Sequence, residues 1–318
     1  PCPGGGRNVT RMAESAREFM AAESDKPFFL VVGYVDPHRA GVGFDNDRDY
    51  LGVKGIKYKP EEVIVPPWLP DEPEVRAALA EYYESISRLD QGVGRVLDAI
   101  AATGHADDTL VIYVSDNGPP WPGAKTTLYE PGIHLPMIIS SPAQKRRAVV
   151  NDAMVSFVDI TPTILDWAGV GVPEEVAGRS LLGILEQDRP TGWDTVFGSH
   201  TFHEVTMYYP VRMIRTREYK YLLNLAHPLP FPFASDLWSC ESWQGVLRRG
   251  DERYGLRTVE AYLHRPREEL YDLRADPHEV RNLAEDPAHA SVLADLRRRL
   301  RQWQDRTKDP WIVKYAHE

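Results

Sequence analysis

Asp116 and Asn117 stand side by side in Ser115-Asp116-Asn117-Gly118, directly after the apolar run Thr109-Leu110-Val111-Ile112-Tyr113-Val114. A carboxylate beside an amide oxygen offers hard donors of the kind that hold Ca2+ or Mg2+ rather than zinc. The same tetrapeptide is a turn signal, and two donors cannot fill a Ca2+ shell of roughly 6–8 oxygens. Further on, Lys125 is the lone charge of Pro122-Gly123-Ala124-Lys125-Thr126-Thr127. It is either a point charge for a tetrahedral oxyanion or a solvated surface lysine. His38, held by a proline in Asp36-Pro37-His38-Arg39, has the chemistry to donate to an oxyanion or protonate a leaving group, and a structural role fits that segment equally. His200, His203 and Glu204 form a polar cluster that suits sugar hydroxyls or an amine, with an interdomain loop as the plain alternative. Their H-x-x-H-E order is not the H-E-x-x-H of zinc proteases. Cys2 has an arginine nearby, but Cys2-Pro3-Gly4-Gly5-Gly6-Arg7 reads as a loop and a decoy nucleophile. Asn8-Val9-Thr10 is read as a chance glycosylation sequon.

Composition narrows the classes. The 318 residues are 42% hydrophobic and 26% charged, ordinary globular values that exclude collagen, coiled coil and disorder. A net charge of −10 argues against a general nucleic-acid binder, and any anionic substrate must meet locally placed cations. Apolar runs are too short to cross a bilayer. Two cysteines exclude a disulfide scaffold or a cysteine zinc site.

The elements that must carry these residues read as alternating helices and strands. Met12, Ala16, Phe19 and Met20 predict a helix over about residues 10–23. Residues 28–35 read as a strand buried on both faces, ending in the loop of His38. A helix marked by Val75, Leu79, Tyr82, Ile86, Leu89, Val93, Val96 and Ile100 stops at Gly104. Residues 109–114 and 135–140 are two more strands, and Thr161-Pro162 starts a helix that ends near Gly169. The pattern predicts an α/β class, a mostly parallel sheet sandwiched by helices, with ligands at the carboxyl ends of its strands. From about Thr191 the character changes to a strand at 195–199, a hairpin with Arg217-Glu218 at its turn, a Pro/aromatic-rich irregular stretch, the strand Glu269-Leu270-Tyr271-Asp272-Leu273 and a closing helix. The expected organisation is an α/β domain over 1–190 and a smaller α+β domain with an antiparallel sheet over 191–318.

In combination, the segments resemble the type I sulfatases of the alkaline-phosphatase superfamily. The resemblance rests on Lys26-Pro27-Phe28-Phe29-Leu30 leading to Asp36-Pro37-His38, on Val114-Ser115-Asp116-Asn117-Gly118, and on Lys125-Thr126-Thr127-Leu128-Tyr129-Glu130-Pro131-Gly132. It continues through Val158-Asp159-Ile160-Thr161-Pro162, Gly178-Arg179-Ser180 and Asp276-Pro277-His278-Glu279. Gly6-Arg7-Asn8, Leu89-Asp90-Gln91-Gly92-Val93-Gly94, His203-Glu204-Val205-Thr206-Met207 and Asp309-Pro310-Trp311 resemble its heparan N-sulfatase branch, where arginine rather than Lys125 is expected.

The resemblance implies Asp116 and Asn117 as ligands of a divalent cation, Ca2+ with Mg2+ as alternative, and His38 and Lys125 as contacts of the sulfate. It implies an alkaline-phosphatase-like fold and, as partner, a sulfated sugar or glycosaminoglycan terminus. No nucleic acid or membrane is expected as partner; a homodimer is left open. Compartment also stays open among periplasmic, extracellular, lysosomal and bacterial cytoplasmic. The family's formylglycine arises in a Cys/Ser-x-Pro-Ser-Arg motif that these residues do not contain, nor do they contain the preceding Asp-Asp metal ligands. The chain therefore reads as the later part of a sulfatase, expected to be inactive alone. The alternatives are a glycan-binding pseudoenzyme and a phosphoryl-transfer hydrolase of the same superfamily.

Overall fold

The computed structural model describes residues 6–22, 26–41, 43–204 and 207–313. In chain order its elements are α1 (Val9–Met20), α2 (Pro73–Ala102), β1 (Val111–Val114), α3 (Glu130–Ile133), β2 (Met137–Ser140) and α4 (Ile160–Trp167). There follow β3 (Thr195–His203), β4 (Met207–Thr216), β5 (Tyr219–Asn224), α5 (Ser235–Trp238), α6 (Glu241–Arg249), β6 (Arg253–Tyr254), β7 (Arg257–Thr258), α7 (Val259–Leu263), β8 (Glu268–Asp272) and α8 (Ala290–Arg306). No helix among the described residues is long and apolar enough to cross a membrane. The chain divides into two units, one built from residues 1–109, 119–121 and 236–255, the other from 110–118, 122–235 and 256–318.

In the first unit the Asn8 side chain accepts from Arg11 N and starts α1 one residue earlier than predicted; Glu23, the expected end, lies outside the described residues. Ala16 and Met20 of α1 and Ala99 of α2 pack with Phe28, Leu30 and Val32. Here the sequence reading needs correction. Residues 28–35 form no strand ladder among the described residues, and only one face is covered, since Phe29 and Val31 are 69% and 74% exposed. A continuous apolar run is equally compatible with a one-sided and a two-sided strand, so composition alone could not separate them. The helices approach closely where α2 carries Gly92. A Cβ there would lie 2.6 Å from Val9 Cβ and 2.9 Å from Tyr34 Cε1, whereas one at Gly94 would meet nothing within 4 Å.

The second unit is organised by an antiparallel sheet of order β3-β4-β5-β8, as the sequence after Thr191 suggested. Leu293, Leu296 and Leu300 of α8 pack on Ile214, Tyr221, Leu223 and Leu270 of its strands. β3 and β4 are longer than expected, and their register shifts between His200 and Phe202. Pro210, which has no N–H to give the ladder, sits in β4 opposite that shift. β1 and β2 pair antiparallel with each other, and no parallel ladder occurs among the described residues. The stretch read as irregular after Asn224 contains α6, whose Trp243 and Val246 are buried and whose Gly250 closes it in the left-handed conformation, and α7. The helical period there was masked by its short length.

The two α2 glycines give a test. Gly94→Ala is expected to stabilise the protein by about 0.5–1 kcal/mol by removing helix-interior glycine, and Gly92→Ala to destabilise it by about 1–3 kcal/mol through overpacking. Urea unfolding of both variants checks this; equal shifts would contradict the packing.

Candidate active site

His38 belongs to the first unit, and what positions it is the carboxylate two residues earlier. Asp36 has a fully buried side chain held by two arginines: Arg88 Nε donates to its Oδ2 at 2.6 Å and Nη2 to Oδ1 at 2.8 Å, and Arg7 pairs with the same Oδ1. Arg7 Nη2 also donates to His38 O at 2.7 Å. Arg7 Nε also lies 4.0 Å from Asp45 Oδ2, so the two cations are met by two carboxylates, and the cluster's hydrogen bonds fix the backbone at His38. The Asp36-Pro37 peptide is cis. The imidazole itself is half exposed, with Nδ1 2.7 Å from Arg39 O and Nε2 4.0 Å from Asp236. A ring that is held and wet at one edge can exchange a proton with a ligand.

Asp116, Asn117 and Lys125 lie together in the second unit, and two glycines explain how. A Cβ on Gly118 would meet Pro131 O at 2.1 Å, so the Asp-Asn turn is seated directly on the Pro131-Gly132 backbone. A Cβ on Gly132 would meet Thr127 O at 2.4 Å and Ala124 O at 2.5 Å, so the turn bearing Lys125 is seated on the same segment. The turn reading of Ser115-Asp116-Asn117-Gly118 and the ligand reading are thus both compatible with this backbone. Asn117 Nδ2 donates to Gly118 O at 2.8 Å, which leaves its Oδ1 as the acceptor, and the Asp116 carboxylate is exposed. Lys125, far from a solvated surface lysine, is only 4% exposed. The oxygen pair fits part of a hard-cation shell. No group of three or more His, Cys, Asp or Glu poised for a metal occurs among the described residues, so the pair does not complete a shell.

The loop of Lys125 is clamped by a cluster in which the sequence offered Glu130 and Glu279 only as parts of a likeness and did not single out Lys220 and Arg215. Lys220 on β5, a fully buried lysine, lies 2.7 Å from Glu130 Oε1 and 2.7 Å from Glu279 Oε1, and donates to Leu128 O at 3.1 Å. Arg215 adds two contacts of 3.1 Å to Glu130, and Glu279 Oε2 accepts from Glu130 N at 2.6 Å. The available signal was a lysine in the otherwise apolar run Tyr219-Lys220-Tyr221-Leu222-Leu223. Arg88 was missed for the same reason, and Arg7 entered only within Gly6-Arg7-Asn8, because an isolated charge shows its partner only in three dimensions.

The remaining candidates sit along β3. His200 Nδ1 is 3.2 Å from Tyr209 O, and burial, with Arg265 and other cations nearby, lowers the pKa of the ring. Glu204 turns the chain at φ 58° and spends both carboxylate oxygens on Ser235, accepting from its N at 3.1 Å and its Oγ at 2.8 Å. His203 is partly buried at the end of β3. Cys2 lies outside the described residues.

Burial raises the pKa of the Glu130 carboxyl, but Lys220 and Arg215 outweigh it and hold the value at about 2 rather than 4.5. Because the folded pKa is depressed, its stabilisation is full above about pH 4.5 and is lost as the pH falls toward about 2. Glu130→Gln is therefore expected to be less stable than the parent near neutrality, with the gap closing on acidification below that point. Urea midpoints across that pH range measure it, and a pH-independent gap would contradict the assignment.

The sulfatase family model matches residues 1–170, and the model described as N-sulphoglucosamine sulphohydrolase, C-terminal, matches residues 123–228. Human N-sulphoglucosamine sulphohydrolase is 41% identical over 96% of this chain and 66% of its own length. A crystal structure of a putative sulfatase from Bacteroides thetaiotaomicron superposes with TM-score 0.65 at 21% identity, covering 97% of this chain and 66% of that one. A second structure, solved in complex with its substrate D-glucosamine-2-N,6-O-disulfate, superposes with TM-score 0.56 at 22% identity over 76% of this chain and 44% of that one. The chain thus spans two thirds or less of the length of these relatives. Its fold is the alkaline-phosphatase-like one of the structural neighbours, in agreement with the sequence reading. With more than half its residues matched by the family model, the chain belongs to the sulfatase family.

Proposed function

We propose that this chain carries the later part of a sulfatase acting on a sulfated sugar, an N-sulfated amino sugar in the finer reading. The observation that carries the proposal is the double seat on Pro131-Gly132, which sets a hard-oxygen pair and a buried ammonium in one unit. A sulfuryl group needs that combination, because charge accumulates on its oxygens as the bond to the leaving group breaks. In this reading Lys125 is a point charge for the sulfate oxygens, and His38 gives a proton to the departing amine or alcohol. Asp116 and Asn117 would hold a divalent cation, Ca2+ with Mg2+ as alternative, which supplies further positive charge when bound. His200, His203 and Glu204 are candidate contacts to the sugar; Glu204 also accepts from Ser235 N and Oγ, and its exposed carboxylate keeps further lone pairs for a ligand.

The human relative's printed name and the disulfated glucosamine bound by the structural neighbour support the amino-sugar substrate. The boundary between the α/β part, 1–190, and the C-terminal part, 191–318, is retained in this reading, and a homodimer remains part of it. No Cys/Ser-x-Pro-Ser-Arg motif occurs in the 318 residues. In this reading a formylglycine nucleophile would come from outside them, and the second reading is a protein that binds sulfated sugars without turning them over.

Calorimetric titration of the 318-residue chain with N-sulfoglucosamine and with glucosamine separates these ideas. The sulfated sugar is expected to bind more tightly, Lys125→Gln to weaken it by roughly 10–100-fold, the worth of a hydrogen bond to a charged group, and glucosamine to bind the variant and the parent alike. Sulfate release by this chain alone, or equal binding of the sulfated sugar to both proteins, would contradict the proposal. Tighter binding of the phosphate than of the sulfate ester of one sugar would favour the phosphoryl-transfer alternative.

A further inference from the structure

Four arginines are buried among the described residues: Arg7, Arg88, Arg212 and Arg265. Arg7 and Arg88 share Asp36, and Arg212 Nε and Nη2 lie 2.6 and 2.9 Å from the Asp309 carboxylate. Arg265, 3% exposed, makes no ion pair among the described residues. Its guanidinium is instead ringed by Phe231 at 3.4 Å, Tyr129 at 5.0 Å, Tyr262 at 5.3 Å and Tyr209 at 6.0 Å from the ring centroids. Nε donates to Tyr262 O at 3.2 Å, while Nη2 is buried with no hydrogen-bond partner. Ring faces offset part of the cost of desolvating this charge; they leave the Nη2 donor unmet.

Two further orphans share this neighbourhood. The Tyr209 side chain is fully buried and its hydroxyl has no partner; nor does His200 Nε2. His200 Nδ1 faces the Tyr209 carbonyl at 3.2 Å, so Nδ1 carries the hydrogen and Nε2 is bare in the neutral ring. Both residues flank the register shift between β3 and β4, an irregularity that re-aims side chains. The buried Glu269 carboxylate also bears on Tyr209, but its oxygens accept from Tyr129, Tyr271 and Asn224 and it forms no ion pair with Arg265 among the described residues. A water would satisfy the orphaned donors without adding charge beside the guanidinium; an anion does both.

We infer that Arg265, Tyr209 and His200 form a buried site for a halide-sized anion, which the Arg265 guanidinium and the Tyr209 hydroxyl bind as donors. The site is proton-linked. The charged groups that bear on His200 are Arg265, Arg212 and His203, all cationic or neutral, and with burial they disfavour the imidazolium. A bound anion favours it instead and receives Nε2–H as a third donor, so anion affinity rises as the pH falls.

The test is thermal unfolding of the whole chain in chloride, with gluconate at equal ionic strength as a bulky reference and sulfate as a second anion. Between zero and about 100 mM chloride the melting temperature is expected to rise, and more so at about pH 6 than at about pH 8. Tyr209→Phe, which keeps the ring and removes an orphaned hydroxyl, should fold normally and weaken chloride about fivefold or more, the loss of one hydrogen bond. His200→Gln should retain a chloride response that no longer varies with pH. Identical melting in chloride and gluconate at pH 6, a response to sulfate alone, or a Tyr209→Phe titration matching the parent would each overturn the inference.

Discussion

A fully buried ammonium, that of Lys220, joins the loop of Lys125 to the rest of its unit. It bridges Glu130 at the start of α3 and Glu279 after β8, and also holds Leu128 O. Desolvating a lysine and two carboxylates costs several kcal/mol per ion, which close pairing offsets only when geometry is good and the remaining lone pairs are satisfied. Here Arg215 and the Glu130 backbone N–H supply the extra hydrogen bonds. Such a network adds little net stability, but removing one member leaves a buried charge uncompensated. Its effect is to leave the segment 128–130 one place to sit, and the turns of Lys125 and Asp116-Asn117 rest on the residues that follow.

The same design recurs in the first unit with the charges reversed. Asp36 is a single carboxylate between Arg7 and Arg88, and through Arg7 it fixes the backbone of His38. In both units a group suited to the chemistry sits on a loop, where backbone is otherwise free to move, and a buried ion cluster removes that freedom. In the proposed reaction neither cluster touches a reacting atom; each holds the backbone of a residue proposed to do so, or of its loop.

The sequence disclosed the helices α1, α2, α4 and α8, the antiparallel sheet after Thr191 and the loops that carry His38, Asp116, Asn117 and Lys125, because apolar period and turn chemistry are local. It also presented Gly178-Arg179-Ser180 only as a likeness; the structure gives the reason, since Asp159 Oδ1 accepts from Arg179 N at 2.9 Å and Thr163 Oγ1 from Leu181 N at 2.9 Å. What it hid was non-local. The one-sided burial of residues 28–35, the partner of Lys220 and the double use of Asp36 depend on segments far apart in the chain. The left-handed Glu204 is another such case, since its bonds to Ser235 join residues 31 positions apart.

Amide hydrogen exchange across residues 123–133, compared between the parent and Glu279→Gln, tests the central claim most directly. If the buried cluster fixes the loop, the variant loses protection at Glu130 and its neighbours while the amides of α8 exchange as before. Unchanged protection at Glu130, or a uniform loss throughout the unit, would contradict it.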